Sequence, residues 1–131
     1  MEHLMRKQIT SDKAAPPQGV YSPAIVASGP TLYVSGQGPI DPASGEFRLG
    51  TFEEQARLTF DNITTLLEAA GTSWANVVRV GVFLSDLSNF GAMNEIYREY
   101  LTEPYPARTT VAAGLPPNML IEVDCIAIVP E

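Results

Sequence analysis

The sequence predicts an α+β fold in which two α-helices pack on one face of a mixed β-sheet. Three observations predict it. The first third of the chain is rich in β-branched and turn residues, and TFEEQARLTFDNITTLLEAAG follows with helical periodicity. The remainder reads strand, helix, strand, strand. At 131 residues the chain makes one domain, with residues 1–5 expected to form a flexible N-terminal extension.

A short edge strand is expected at 6–9. In AIVASGPTLYVSG, arms at 24–28 and 31–35 flank Gly29-Pro30 and predict a hairpin. DPASGE closes the next excursion as a turn. The long helix opens on a capping box, Thr51 with Glu54, which satisfies two amide donors at its start. Its apolar stripe is Phe52, Ala56, Phe60, Ile63, Leu67 and Ala70, and Gly71 suits the left-handed position beyond its end. NVVRVGVFL is a β-branched strand over 76–84, followed by a second helix over 87–101. Strands at 106–113 and 119–129 close the chain around GLPPN.

Composition limits the function. Formal net charge is -7, from 15 acidic and 8 basic residues, so the chain lacks the basic footprint that nucleic-acid phosphates require. It carries no polybasic membrane patch and no apolar run near the roughly 20 residues that span a bilayer. A lone cysteine, Cys125, rules out an intrachain disulfide and points to a reducing compartment. Zinc is disfavoured, because His3 near the N-terminus is the other soft ligand. The start of the chain does not read as a signal peptide, so the cytoplasm is the expected location. Gly36 and Gly38 are not followed by a helix, so a dinucleotide site is not expected, and no cofactor is implied.

The final strand bears on assembly. Ile121, Val123, Cys125, Ala127 and Val129 form an apolar face suited to the helices. Leu120, Glu122, Asp124, Ile126 and Ile128 form the other, more apolar than a solvated face requires. A second subunit covering it is the simplest explanation.

Candidate chemistry centres on Arg108, which sits within YPARTTV without an acidic neighbour. Arg108 and Thr110 share one face of their strand. If the last two strands pair, that face also holds Glu122 and Asp124, and a cross-strand ion pair is one reading. The other is a guanidinium fork awaiting a small carboxylate, with a free acidic group nearby for proton transfer. Asn94 intrudes on the helical stripe Phe90, Asn94, Tyr97 and Leu101, and a buried amide there needs a loop backbone or a ligand as partner. Ser35-Gly36 ends a strand where glycine permits close backbone approach to a ligand oxygen. Tyr21 reads as a core aromatic in preference to a pocket lid.

These residues together resemble the reactive-intermediate deaminases, the Rid or YjgF-like family. The resemblance runs from Ile9 to Ile128 through GVYSPA, LYVSGQGPIDPASGE, QARLTFDNITTLLEAAG, VFLSDLSNFGAMNEIYREYL, PARTTV and LPPNMLIEVDCIAI. It implies a chorismate-mutase-like fold assembled as a homotrimer, with a central barrel of sheets and sites between subunits. It also implies hydrolysis of 2-imino acids, formed from enamines such as 2-aminoacrylate, to 2-keto acids and ammonia. By that resemblance Arg108 holds the substrate carboxylate, and Glu122 orients water and assists proton transfer. Ser35, the Gly36 amide and Thr110 then line the pocket, while Tyr21 and Asn94 build or close it.

Three positions depart from the family pattern. Val20 stands where proline is usual, an exchange expected to loosen the Tyr21 segment. Thr110 replaces a cysteine, which removes any thiol chemistry there, and Asp124 stands where glutamate is common. Three other functions remain open on the sequence: a carboxylate-binding module without turnover, a ribonuclease, and a pathway-specific hydrolase of another carbon–nitrogen bond.

Overall fold

The computed structural model describes residues 5–131. In chain order the elements are β1 (Met5–Ile9), β2 (Ala24–Ser28), β3 (Thr31–Gln37), α1 (Phe52–Ala69), β4 (Val77–Leu84), α2 (Phe90–Tyr100), β5 (Ala107–Ala112) and β6 (Ile121–Ile128). Single 3₁₀ turns at Trp74–Asn76 and Leu87–Asn89 lead into β4 and α2. The expected extension over residues 1–5 lies outside the described residues except at Met5, which already opens β1. His3 lies outside them too.

Local signals act as the sequence predicts. Thr51 and Glu54 form the capping box, the Thr51 hydroxyl accepting from the Glu54 amide at 3.2 Å. Gly71 follows α1 at a φ of 82°, where a Cβ would be strained. Asp41 closes its turn by accepting the Ala43 amide, and its own amide donates to the Glu46 carbonyl at 2.8 Å.

Strand pairing departs from the local reading. Arms form on either side of Gly29, but β2 pairs antiparallel with β1 while β3 pairs with β6. Val34 of β3 lies opposite Cys125 and is buried there, whereas β2 has no buried residue to offer as a partner surface. The main sheet has the order β3-β6-β4-β5. The last two strands are therefore not neighbours. Helix α2 is the crossover that a parallel β4–β5 pair requires, and β6 then adds antiparallel to the far edge of β4.

Both helices cover one face of this sheet. Ala56, Phe60, Ile63 and Leu67 of α1 and Met93 and Tyr97 of α2 enclose Val80, Val82, Leu84, Ile121, Val123 and Cys125. The expected apolar face of β6 is this core face. Ile128, assigned by alternation to the other face, is buried as the strand ends.

Register fixes which side chains share a face. Val80 lies opposite both Arg108 and Cys125, whereas Phe83 lies opposite both Val111 and Glu122. Val80 and Phe83 are three residues apart on one strand and so point to opposite faces. Arg108 and Thr110 face the helices, and Glu122 and Asp124 face away. The expectation that these four share a face is thus overturned, because β4 intervenes and sets the parity of both strands.

Candidate functional site

The α2 helix builds the surroundings of Arg108. Phe90, Asn94 and Tyr97 recur at four- and three-residue steps, so one helical face presents all three toward β5. Arg108 Nη1 donates to Asn94 Oδ1 at 2.8 Å. The guanidinium carbon lies 4.8 Å from the centre of the Tyr97 ring and 5.7 Å from that of Phe90. Among the described residues no carboxylate pairs with it. The cross-strand ion pair to Glu122 or Asp124 is absent because both acids stand on the opposite face. Burial lowers the Arg108 pKa from its ordinary value, yet a guanidinium stays charged. Asn94 thus finds its partner in the arginine and not in a loop backbone.

Tyr21 is not a core residue. Its neighbours take the buried positions: Val20 joins the core at 3% exposure, and Ser22 is buried on the other side. The Ser22 amide donates to the Pro106 carbonyl at 3.1 Å, and its hydroxyl donates to the Tyr105 carbonyl. Gln8 Nε2 donates to the same hydroxyl at 3.0 Å. The chain bends here, the Tyr21 amide donating to the Gly19 carbonyl at 3.0 Å, and Tyr21 is left half-buried between its two buried neighbours. The Gln18 amide donates to its phenol oxygen at 3.0 Å, which fixes the ring as a wall. Val20 therefore anchors this segment in the core.

Tyr21, Phe90, Arg108, Thr109 and Thr110 line a cleft of about 290 Å³. The Thr110 hydroxyl is buried without a hydrogen-bond partner among the described residues. A buried polar atom of this kind is satisfied when a ligand supplies the missing bond.

Ser35, Gly36 and Glu122 lie elsewhere. The β3–β6 register shifts between Val34 and Gln37, which releases Ser35 and Gly36 from regular pairing. A Cβ on Gly36 would sit 2.5 Å from Glu122 Oε2, so glycine is what lets the carboxylate lie against this backbone. Buried Gln55 fixes the approach to β6: its Nε2 donates to the Asn118 carbonyl at 3.0 Å, and its Oε1 accepts the Leu120 amide at 2.8 Å. One chain thus carries two separate groups. Tyr21, Asn94, Arg108 and Thr110 meet on the helix-covered face; Gly36 and Glu122 meet on the other, with Ser35 next to Gly36 in the chain.

The sequence reading passed over Phe90 and Tyr97 as walls for the arginine, and over Gln55. For Phe90 and Tyr97 the available signal was the shared stripe with Asn94; for Gln55 it was a polar residue beside the buried stripe of α1. On the face away from the helices, Tyr33, Phe83, Val111 and Ile126 contribute to a groove of about 410 Å³. Tyr33 is 74% exposed there, which leaves a large aromatic uncovered by its own chain. Among the described residues no helix is long and apolar enough to cross a membrane.

Comparison with known proteins gives this geometry a setting. The sequence pattern of the family described as Endoribonuclease L-PSP matches residues 12–129. A RutC family protein of Pyrococcus horikoshii is 44% identical over 124 residues, covering 94% of this chain and 98% of the relative. The 2-iminobutanoate/2-iminopropanoate deaminase of Rattus norvegicus is 40% identical over 129 residues, covering 98% of this chain and 93% of the relative. The crystal structure of RidA from the Antarctic bacterium Psychrobacter sp. superimposes with a TM-score of 0.72 at 43% identity, covering 94% of this chain and 99% of that one.

Proposed function

Because the chain belongs to the Endoribonuclease L-PSP family, the Rid or YjgF-like proteins, we propose that it hydrolyses 2-imino acids to 2-keto acids and ammonia. The observation that carries this reading is the unneutralised Arg108 in a small cleft. A half-buried cation without a carboxylate of its own is a receptor for one.

The chemistry then needs few parts. An imine carbon is already electrophilic, so gripping the adjacent carboxylate places that carbon beside water, and proximity supplies much of the acceleration. Glu122 takes a proton from the attacking water and delivers it to nitrogen to give the tetrahedral carbinolamine. It then takes the hydroxyl proton and passes it to nitrogen as C=O forms and the C–N bond breaks. The products are the keto acid and ammonia. Thr110 and Tyr21 shape the cleft around the bound acid.

Glu122 of the same chain stands on the wrong face for this role. The reading therefore requires a second copy whose Ser35, Gly36 and Glu122 complete the cleft of the first. The apolar groove around Tyr33 and Ile126 supports such contact, and a closed ring of three copies is the proposed assembly. The acidic balance of the chain favours this reading over action on RNA.

The test generates imines in situ from alanine and from 2-aminobutyrate with an amino-acid oxidase. Semicarbazide traps the surviving imine in the presence and absence of the protein. Faster imine loss with the protein is expected; unchanged decay combined with saturable pyruvate binding would favour a carboxylate-binding module.

A further inference from the structure

We propose that Phe90, Asn94 and Tyr97 form a neutral cradle that fixes Arg108 by one edge and keeps its charge and its other edge for a ligand. The proposal deepens the functional reading above and rests on it. It assigns positioning roles to Phe90 and Tyr97 and names the edge of the guanidinium that meets the carboxylate.

The hydrogen-bond pattern selects the edge. Asn94 occupies Nη1 at 2.8 Å, and among the described residues Nε and Nη2 donate to nothing. Nε–H and Nη2–H are the parallel pair on one side of a guanidinium, the geometry that a carboxylate accepts with both oxygens. Gly19 borders this edge. A Cβ at Gly19 would lie 3.9 Å from Nη2, so any longer side chain would encroach on it.

The chemistry of the three contacts matters as much as their placement. A buried arginine is usually held by a carboxylate, which fixes it but cancels its charge. An amide oxygen and two aromatic faces instead attract the cation through dipole and quadrupole, leaving its formal charge intact. All three come from one stripe of α2, so one rigid helix sets the guanidinium plane. The contacts also separate into kinds: Tyr97 acts through its ring, because its hydroxyl finds no partner among the described residues.

The cradle is tested with Asn94→Asp, Phe90→Leu, Tyr97→Phe and Tyr97→Leu. Pyruvate is the probe for calorimetric binding, and the imine assay gives kcat and KM separately. Asn94→Asp keeps an acceptor for Nη1 but supplies an internal carboxylate. Melting temperature should hold or rise while pyruvate affinity falls by at least about tenfold. A merely structural hydrogen bond would leave that affinity intact. Phe90→Leu should raise KM by about tenfold with kcat within about threefold, since it loosens the binding group without touching the proton-transfer group. Phe90 is 38% exposed, so this variant tests the idea even if Tyr97→Leu fails to fold. Tyr97→Phe, which keeps the ring face on Arg108, should raise KM less than Tyr97→Leu does. Wild-type binding and kinetics in both Asn94→Asp and Phe90→Leu would overturn the cradle and spare the functional reading. A wild-type protein that neither binds pyruvate nor hydrolyses imines would overturn both.

Discussion

Arg108 and Glu122 project from opposite faces of the same four-stranded sheet, separated by β4. The two side chains therefore cannot meet within one chain. This relationship governs what substitutions at either position should do.

Arg108→Ala should abolish imine hydrolysis, a loss on the order of 100-fold or more in kcat/KM, because an unanchored substrate loses its alignment. The fold should survive, since among the described residues the side chain makes a single hydrogen bond, to Asn94. Arg108→Lys should recover little, as an ammonium cannot reproduce the forked contact. Circular dichroism alongside kinetics checks both points; near-normal kcat/KM in the Ala variant would remove Arg108 from the site.

Glu122→Gln should lower kcat more than ligand affinity if the carboxylate moves protons. Each of the two variants, Arg108→Ala and Glu122→Gln, should be inactive alone. Co-refolded in equal amounts they should regain about a quarter of wild-type activity, the share of random interfaces that join an intact arginine to an intact glutamate. No recovery in a mixed oligomer would mean that each site lies within one chain.

Gly36→Ala separates positioning from stability. The added methyl would sit 2.5 Å from Glu122 Oε2, so the carboxylate must swing away. The displaced group is the end of a flexible side chain, so the melting temperature should change little. Turnover should fall about as far as in Glu122→Gln. Full activity in Gly36→Ala would show that the observed Glu122 position is not the working one.

Ile126→Asp addresses assembly. Ile126 lies on the same face as Tyr33, away from the helices, where covering by a second copy is proposed. An unpaired carboxylate buried in that contact would cost several kcal/mol, comparable to the whole stability of a small domain. Sedimentation should show dissociation or unfolding, with activity lost in parallel. A fully active wild-type monomer would refute the shared site.

Cys125 provides a prediction on pH. Burial pushes its thiol from 9.0 up to about 12, because the core disfavours the thiolate. A raised native pKa stabilises the fold fully below the unfolded value. That contribution is then lost as pH rises from about 9 toward 12. The native protein should resist a thiol reagent at pH 8 and react once unfolded. Rapid native labelling would contradict the buried placement.

The sequence alone determined the identity and order of the elements, because the forces involved act over a few residues. Thr51 with Glu54 starts α1 and Gly71 stops it through bonds within one turn. The stripe of Phe90, Asn94 and Tyr97 is legible from helical geometry alone, whereas only the sheet order separates Arg108 from Glu122 and Asp124. Tertiary structure decided which strands pair and so which residues face each other. Alternation along β5 and β6 gives two faces to each strand, but nothing local says that β4 lies between them. Tyr21 could not be placed without knowing that Val20 reaches the core and Ser22 reaches Pro106 across the fold. The approach of Gly36 to Glu122 likewise depends on a bulge in the pairing of β3 with β6. Strand pairing joins residues far apart in the chain, and burial of the whole core, not the preference of either segment, selects the register.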